Sequence, residues 1–286
     1  MKTIQIQSNN RQPENRFIFI VSQARSGTTA FQDFLSRTNP SLILAGELFL
    51  PRIERGAISE ILGDKYSDLK VFDWISERAN TKDELEVQAK FKTHRENIDS
   101  VAFNILKMLT ENPSTTSNIF VIKIFPGHLS DMKFNEILRT YRPTVIILRR
   151  RLLFSYVSLL KAFKTRNFTQ KDSSDIKIEM NEKQLAQYIS RADSWFNNID
   201  EIAPKLGIPY LNVTYEDFFE SGEDVERVLK FLNQMDDIDF FSEVNDSKMK
   251  IQDRRKDSNL AKVFEEFGNL PQELQKSVIR YPGNSF

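Results

Sequence analysis

Residues 17–34, FIFIVSQARSGTTAFQDF, decide how this chain folds. Phe17 to Val21 are all aromatic or β-branched, which predicts a short buried strand. Ser22 to Gly27 are small, polar or flexible, and Thr28 and Thr29 open an amphipathic helix with Ala30, Phe31, Phe34 and Leu35 among its apolar positions. Strand, tight loop and helix is the geometry in which backbone N–H groups and a helix N-terminus converge on an anion. Against the phosphate-loop pattern G-x-x-x-x-G-K-[ST], Ser22 stands at the first Gly, Gly27 at the second and Thr29 at the final hydroxyl. Thr28 occupies the Lys position, so the phosphate cation must come from elsewhere, and Arg25 inside the loop is the obvious substitute. Ser26 and Gly27 would add backbone N–H groups, and Thr28 and Thr29 hydroxyls. The competing reading is an ordinary strand-to-helix turn with hydroxyl capping.

Composition narrows the field. The chain has 286 residues, enough for one large α/β domain or two small ones. Forty basic and forty acidic residues cancel, which argues against a general nucleic-acid binder. With no cysteine, disulfides, thiolate metal sites and a Cys nucleophile are excluded. Two histidines, His94 and His128, leave little room for a zinc site. No apolar run approaches the ~20 residues that span a bilayer, and the polar first fifteen or so residues lack the apolar centre of a signal peptide. The expectation is a soluble, cytoplasmic protein with no metal.

Further strands are expected at Ser41 to Leu44, Ile119 to Phe125, Thr144 to Leu148 and Tyr210 to Val213. Helices are expected from Met132 to Arg139, over LLFSYVSLLKAF, from Asn181 to Leu206, from Val225 to Leu232 and about Pro271 to Arg280. The charged segment from about Arg52 to Leu109 reads as a mostly helical insertion with a solvated face that carries His94, and Lys164 to Glu179 as a polar, mobile stretch. In open α/β sheets ligands sit beyond the carboxyl ends of the strands. Arg25, Glu47, His128 and Arg149 all fall at such ends, and Lys123 interrupts an otherwise buried run, so it should face an anion or a carboxylate. Arg149, Arg150 and Arg151 form one basic cluster and Arg254, Arg255 and Lys256 a second, which suggests a ligand with phosphates at more than one position. No strand ends in a Walker-B-like Asp, so arginines rather than magnesium would hold the nucleotide. That points from phosphoryl transfer toward transfer of a less charged group, such as a sulfonate.

At these residues the chain resembles the sulfotransferases that use 3′-phosphoadenosine-5′-phosphosulfate (PAPS). RSGTT after an apolar strand is similar to their 5′-phosphosulfate loop, with Arg25 where many cytosolic members have Lys. VIILRRRLLFSYVSLLKAF resembles their 3′-phosphate motif, an Arg at a strand end with a Ser on the next helix. The pair would be Arg149 and Ser158, with Arg150 an alternative partner and Ser155 a weaker one. NVTYEDFF resembles the late YED strand, while Gly46-Glu47, KIFPGHL and RRKDSNLAKVFEEF are similar to the bacterial sulfoglycolipid and nodulation-factor branch.

The resemblance implies a P-loop-type three-layer α/β fold with a central parallel sheet flanked by helices. Residues 1–286 would form a single domain with a helical insertion at about 52–112. It implies sulfonate transfer to a hydroxyl or amine of a carbohydrate, glycolipid or small-molecule acceptor. Arg25 would hold the 5′-phosphate, Arg149 and Ser158 the 3′-phosphate, and Arg254, Arg255 or Lys256 would close over it. Glu47 is the candidate general base, His128 its rival, and Lys123 would assist the bridging oxygen. Two rivals remain: a P-loop nucleoside or sugar kinase, which needs a loop Lys and metal-binding acids, and a catalytically silent nucleotide-binding module.

Overall fold

A computed structural model describes residues 17–49, 84–111, 119–165, 176, 178–234, 240 and 268–283. The strands are β1 (Phe17–Val21), β2 (Leu42–Gly46), β3 (Ile119–Ile124), β4 (Thr144–Arg149) and β5 (Tyr210–Thr214). They form one parallel sheet in the order β2-β3-β1-β4-β5. The order reverses on either side of β1, so the loop that leaves β1 opens at the topological switch point.

Side chains alternate between the two faces of a strand. Phe17, Phe19, Phe120, Ile122, Val145 and Ile147 pack on one face beneath α2 (Glu84–Glu111), α3 (Asp131–Tyr141) and α5 (Glu182–Lys205). Ile18, Ile20, Val121, Ile146 and Leu148 pack on the other, beneath α1 (Thr28–Thr38) and α6 (Glu223–Leu232). The result is the expected three-layer fold. Helix α4 (Leu152–Thr165) packs with α5 and α7 (Gln272–Ile279) around Leu153, Tyr156, Leu185 and Ile189 at the side. Each of these fully buried aromatic or aliphatic side chains contributes ~1.5–3 kcal/mol from area removed from water.

Several features differ from expectation for physical reasons. Strand β2 runs on to Gly46, because an irregularity between Leu44 and Gly46 lets it keep pairing with Val121 and Ile122. Strand β4 includes Arg149, whose backbone pairs with Thr214. Helix α2 is more than a solvated insertion, since Ile98, Ala102, Ile105, Leu106 and Leu109 close the core over one sheet face. The side chain of His94, residues 50–83 and most of the polar stretch after Thr165 lie outside the described residues. Among the described residues no helix is long and apolar enough to cross a membrane.

Candidate active site

The loop between β1 and α1 is pinned at both ends. Ser22 N–H donates to the Ile124 carbonyl at 3.1 Å, and Ser22 Oγ donates to the Leu148 carbonyl at 2.6 Å. Gln23 Nε2 reaches Ser155 Oγ on α4 at 2.7 Å, and Tyr188 donates to the same oxygen at 2.9 Å. One turn further along α4, Ser158 Oγ accepts from Arg25 Nε at 3.1 Å. Arg25 itself has a left-handed backbone, φ 69°. Such a conformation costs a non-glycine residue ~1–3 kcal/mol and persists where its surroundings over-determine it. Here the surroundings are Ser158 on the side chain and Arg150 Nη1, which donates to the Arg25 carbonyl at 2.9 Å.

Gly27 caps α1 with φ 83°, and no side chain caps the helix or places an acid in its first turn. A Cβ on Gly27 would lie 2.5 Å from the Tyr215 ring, so only glycine admits that ring. The ring in turn carries the Arg150 guanidinium 4.2 Å above its centroid, a cation–π contact. Arg150, Tyr215, Gly27 and Arg25 are therefore one packed unit. The uncapped N-terminus of α1 carries positive dipole charge beside two arginines. Ser26 Oγ is fully buried in this loop without a hydrogen-bond partner. An oxyanion at the loop suits that donor set.

Arg149, expected to share the 3′-phosphate with Ser158, is paired instead with Asp200. Counting along β4, Val145, Ile147 and Arg149 share the α5 face, whereas Ser158 on α4 bonds Arg25 of the loop. The Arg149 guanidinium is fully buried, 2.5 Å from Asp200 Oδ1 on α5 and 4.9 Å from the centre of the Phe196 ring. Burial pulls its pKa down and Asp200 opposes that shift. Arg150, the next residue, is the one that meets Arg25. Pleat parity is the signal that separates the two. Ser155 serves as the buried anchor for Gln23 and Tyr188.

A second cluster stands at the ends of β2 and β3. Gly46, φ 56°, turns the chain out of β2 and delivers Glu47. Glu47 Oε1 lies 3.7 Å from Lys123 Nζ, and its Oε2 lies 4.0 Å from His128 Nε2. Lys123 projects onto the α1 face and also donates to Thr29 Oγ1 at 3.4 Å, linking this cluster to the loop. The carboxylate is about one-third exposed, at 31%, while the His128 side chain is 4% exposed. His128 Nδ1 accepts the Phe125 N–H at 3.3 Å, which assigns the ring proton to Nε2, facing Glu47. Burial, reinforced by the Lys123 charge, lowers the His128 pKa to about 3. The imidazole is accordingly neutral near pH 7, with its one lone pair already engaged.

Arg25, Ser26, Gly27, Thr28, Thr29, Arg150 and Ser158 thus converge on the loop, and Glu47, Lys123 and His128 on its flank. Arg254, Arg255 and Lys256 lie outside the described residues. Sequence reading missed the Tyr215 ring as the seat of Arg150. No group of three or more potential metal-ligating His, Cys, Asp or Glu residues occurs among the described residues.

Comparison with known proteins adds the family. The profile described as "Sulfotransferase family" matches residues 17–237, well over half of the chain. Among solved structures, the sulfotransferase domain from the curacin biosynthetic pathway is 18% identical, with 76% of this chain and 73% of that one covered and a TM-score of 0.38. Mouse sulfotransferase SULT7A1, solved with PAP, is 14% identical, with 91% of this chain and 68% of that one covered and a TM-score of 0.39. The loop, its partner helix and the acid–lysine pair all fall inside the matched residues, and the chain belongs to the sulfotransferase family.

Proposed function

We propose that the chain transfers a sulfonate group from PAPS to a hydroxyl or amine of a carbohydrate, glycolipid or small-molecule acceptor. The observation that carries this reading is the uncapped N-terminus of α1, flanked by Arg25 and Arg150 and joined through Thr29 and Lys123 to Glu47. It suits a ligand with anionic oxygens at the loop and a reacting centre on its flank.

The donor supplies an activated sulfonate, whose S–O bond to the 5′-phosphate breaks as the acceptor atom bonds to sulfur, releasing adenosine 3′,5′-bisphosphate. Arg25, Thr28, Thr29 and the N–H groups of Ser26 and Gly27 would hold the 5′-phosphate and stabilise charge developing on the leaving oxygen. Arg150, with Ser158, would hold the 3′-phosphate. The reading prefers Arg150 to Arg149 there, because the Arg149 guanidinium is buried against Asp200. Lys123 would stand beside the bridging oxygen.

Glu47 would take the acceptor's proton. It is the partly exposed acid of the cluster, and Lys123 and His128 face its two oxygens. His128 supports it by position rather than by chemistry, since its Nδ1 accepts from the Phe125 backbone and Nε2 bears the proton. The test is direct. In EDTA, adenosine 3′,5′-bisphosphate at about a hundred times its Kd should add ~2.7 kcal/mol of stability. A screen of acceptors with labelled PAPS should then yield a sulfonated product. No thermal shift at millimolar nucleotide would remove the cofactor assignment.

A further inference from the structure

Residues 280–283 lie beyond the residues that the family profile matches, yet they touch both sides of the arginine turn. Helix α7 ends at Ile279, and Arg280 follows it in extended conformation. The Arg280 carbonyl accepts the N–H of Leu152, the first residue of α4, at 3.3 Å. Its guanidinium grips Asp193 of α5 through two bonds, 2.9 and 2.6 Å, and Gly283 N–H donates to the same carboxylate at 3.0 Å. The Tyr281 hydroxyl is hydrogen-bonded by Thr214 and Arg151. Gly283 has φ +91°, and a Cβ there would lie 3.1 Å from Asp200 Oδ2 and 3.4 Å from Arg149 Nη1. Pro282 and Gly283 are buried.

This short strap therefore bonds Leu152 and Arg151, with Gly283 close against Arg149. Arg150 is the residue between Arg149 and Arg151, and its side chain is the one that turns to Tyr215 and the Arg25 carbonyl. Glu216, two residues after β5, accepts the Arg151 N–H at 3.4 Å and holds the same turn. A bidentate Arg–carboxylate pair is geometrically demanding. Its use here, together with a glycine that admits no side chain without strain, fits an element that sets the pose of the turn it covers.

We infer that the strap 280–283 is a positioning element for the 3′-phosphate: through the Arg280–Asp193 clasp it sets the backbone from which Arg150 reaches the nucleotide. The inference rests on the nucleotide reading proposed above. Because coupling is reciprocal, the 3′-phosphate must in turn steady the strap. Calorimetric titrations test it, on wild type, Arg280→Ala and Gly283→Ala, each with adenosine 3′,5′-bisphosphate and with adenosine 5′-monophosphate. Both variants should lose about five-fold or more of the preference for the bisphosphate, the scale of a coupling energy. Binding of the monophosphate should stay within about two-fold, the additivity expected of an uncoupled site. Arg280→Lys, which keeps the charge without the fork, should fall between.

Hydrogen exchange on the wild-type protein supplies a readout that no variant's folding can spoil. The bisphosphate should slow exchange over residues 149–152 and 280–283 more than the monophosphate does. Equal loss of both ligands in the variants, or equal protection by both in the wild type, would overturn the strap's role. If wild type binds neither nucleotide, the cofactor reading itself fails, which is a different result.

Discussion

Arg149 and Arg150 are neighbours of the same type, and the structure assigns them opposite consequences. Arg149 is 0% exposed and its Asp200 partner side chain 16%, with 2.5 Å between them. Removing one member of a buried ion pair costs ~3–5 kcal/mol, chiefly by stranding the other charge. The partial exposure of Asp200 places Arg149→Ala at the lower end, about 3 kcal/mol. For a chain of this size that corresponds to a drop of about 6–12 °C in Tm. Restoring neutrality with Arg149→Met and Asp200→Asn together should recover much of the loss.

Arg150→Ala deletes one hydrogen bond to the Arg25 carbonyl and a cation–π contact, each nearer ~1 kcal/mol. Its Tm should therefore fall less. In nucleotide binding the order reverses. Loss of a hydrogen bond to a charged phosphate costs ~1.5–3 kcal/mol, or about 10- to 150-fold in Kd. Arg150→Ala should lose that much for adenosine 3′,5′-bisphosphate and far less for adenosine 5′-monophosphate. The assay is calorimetric titration well below each variant's Tm, beside thermal melts without ligand. If Arg149→Ala melts like wild type while losing the bisphosphate selectively, the parity argument for β4 is wrong.

Three other outcomes are expected. Glu47→Gln should lower kcat by ~10²–10⁴-fold with nucleotide affinity unchanged, and His128→Gln should lower it less; an inactive His128→Gln beside an active Glu47→Gln would transfer the base to His128. Because His128 binds its proton only near pH 3 when folded but near 6.5 when unfolded, the unfolded chain holds more protons between those values. Stability should thus fall as pH drops through that window, by up to ~1.4 kcal/mol per pH unit, and comparison of urea midpoints with His128→Gln would expose a missing slope. Gly27→Ala should remove nucleotide binding, since the methyl group meets the Tyr215 ring at 2.5 Å at a φ of +83°; retention of wild-type affinity in a titration would contradict the packed unit.

Much of this protein is legible in one dimension because its information is local. Runs such as Phe17 to Val21 and Thr144 to Leu148 are too β-branched and aromatic to be anything but buried strands. A glycine before two threonines marks where a helix begins, and Lys123 in an apolar run demands an anionic partner, which Glu47 supplies. Boundaries shifted where pairing with a neighbouring strand extended an element, as at Gly46 and Arg149.

What tertiary structure alone decided are choices among equivalent residues. Three successive arginines look alike in sequence, but the pleat sends Arg149 to Asp200, and a ring seated on Gly27 receives Arg150. Glu47 and His128 compete on paper as bases. In the proposed reading Glu47 is favoured, because the imidazole is buried and its Nδ1 lone pair accepts the Phe125 N–H. The strap at 280–283 carries no motif, because its effect depends on meeting Asp193 and Leu152. Sequence periodicity reports which face a side chain takes and how well it suits burial. The partner waiting on that face depends on packing between segments more than a hundred residues apart, and only the folded chain brings them together.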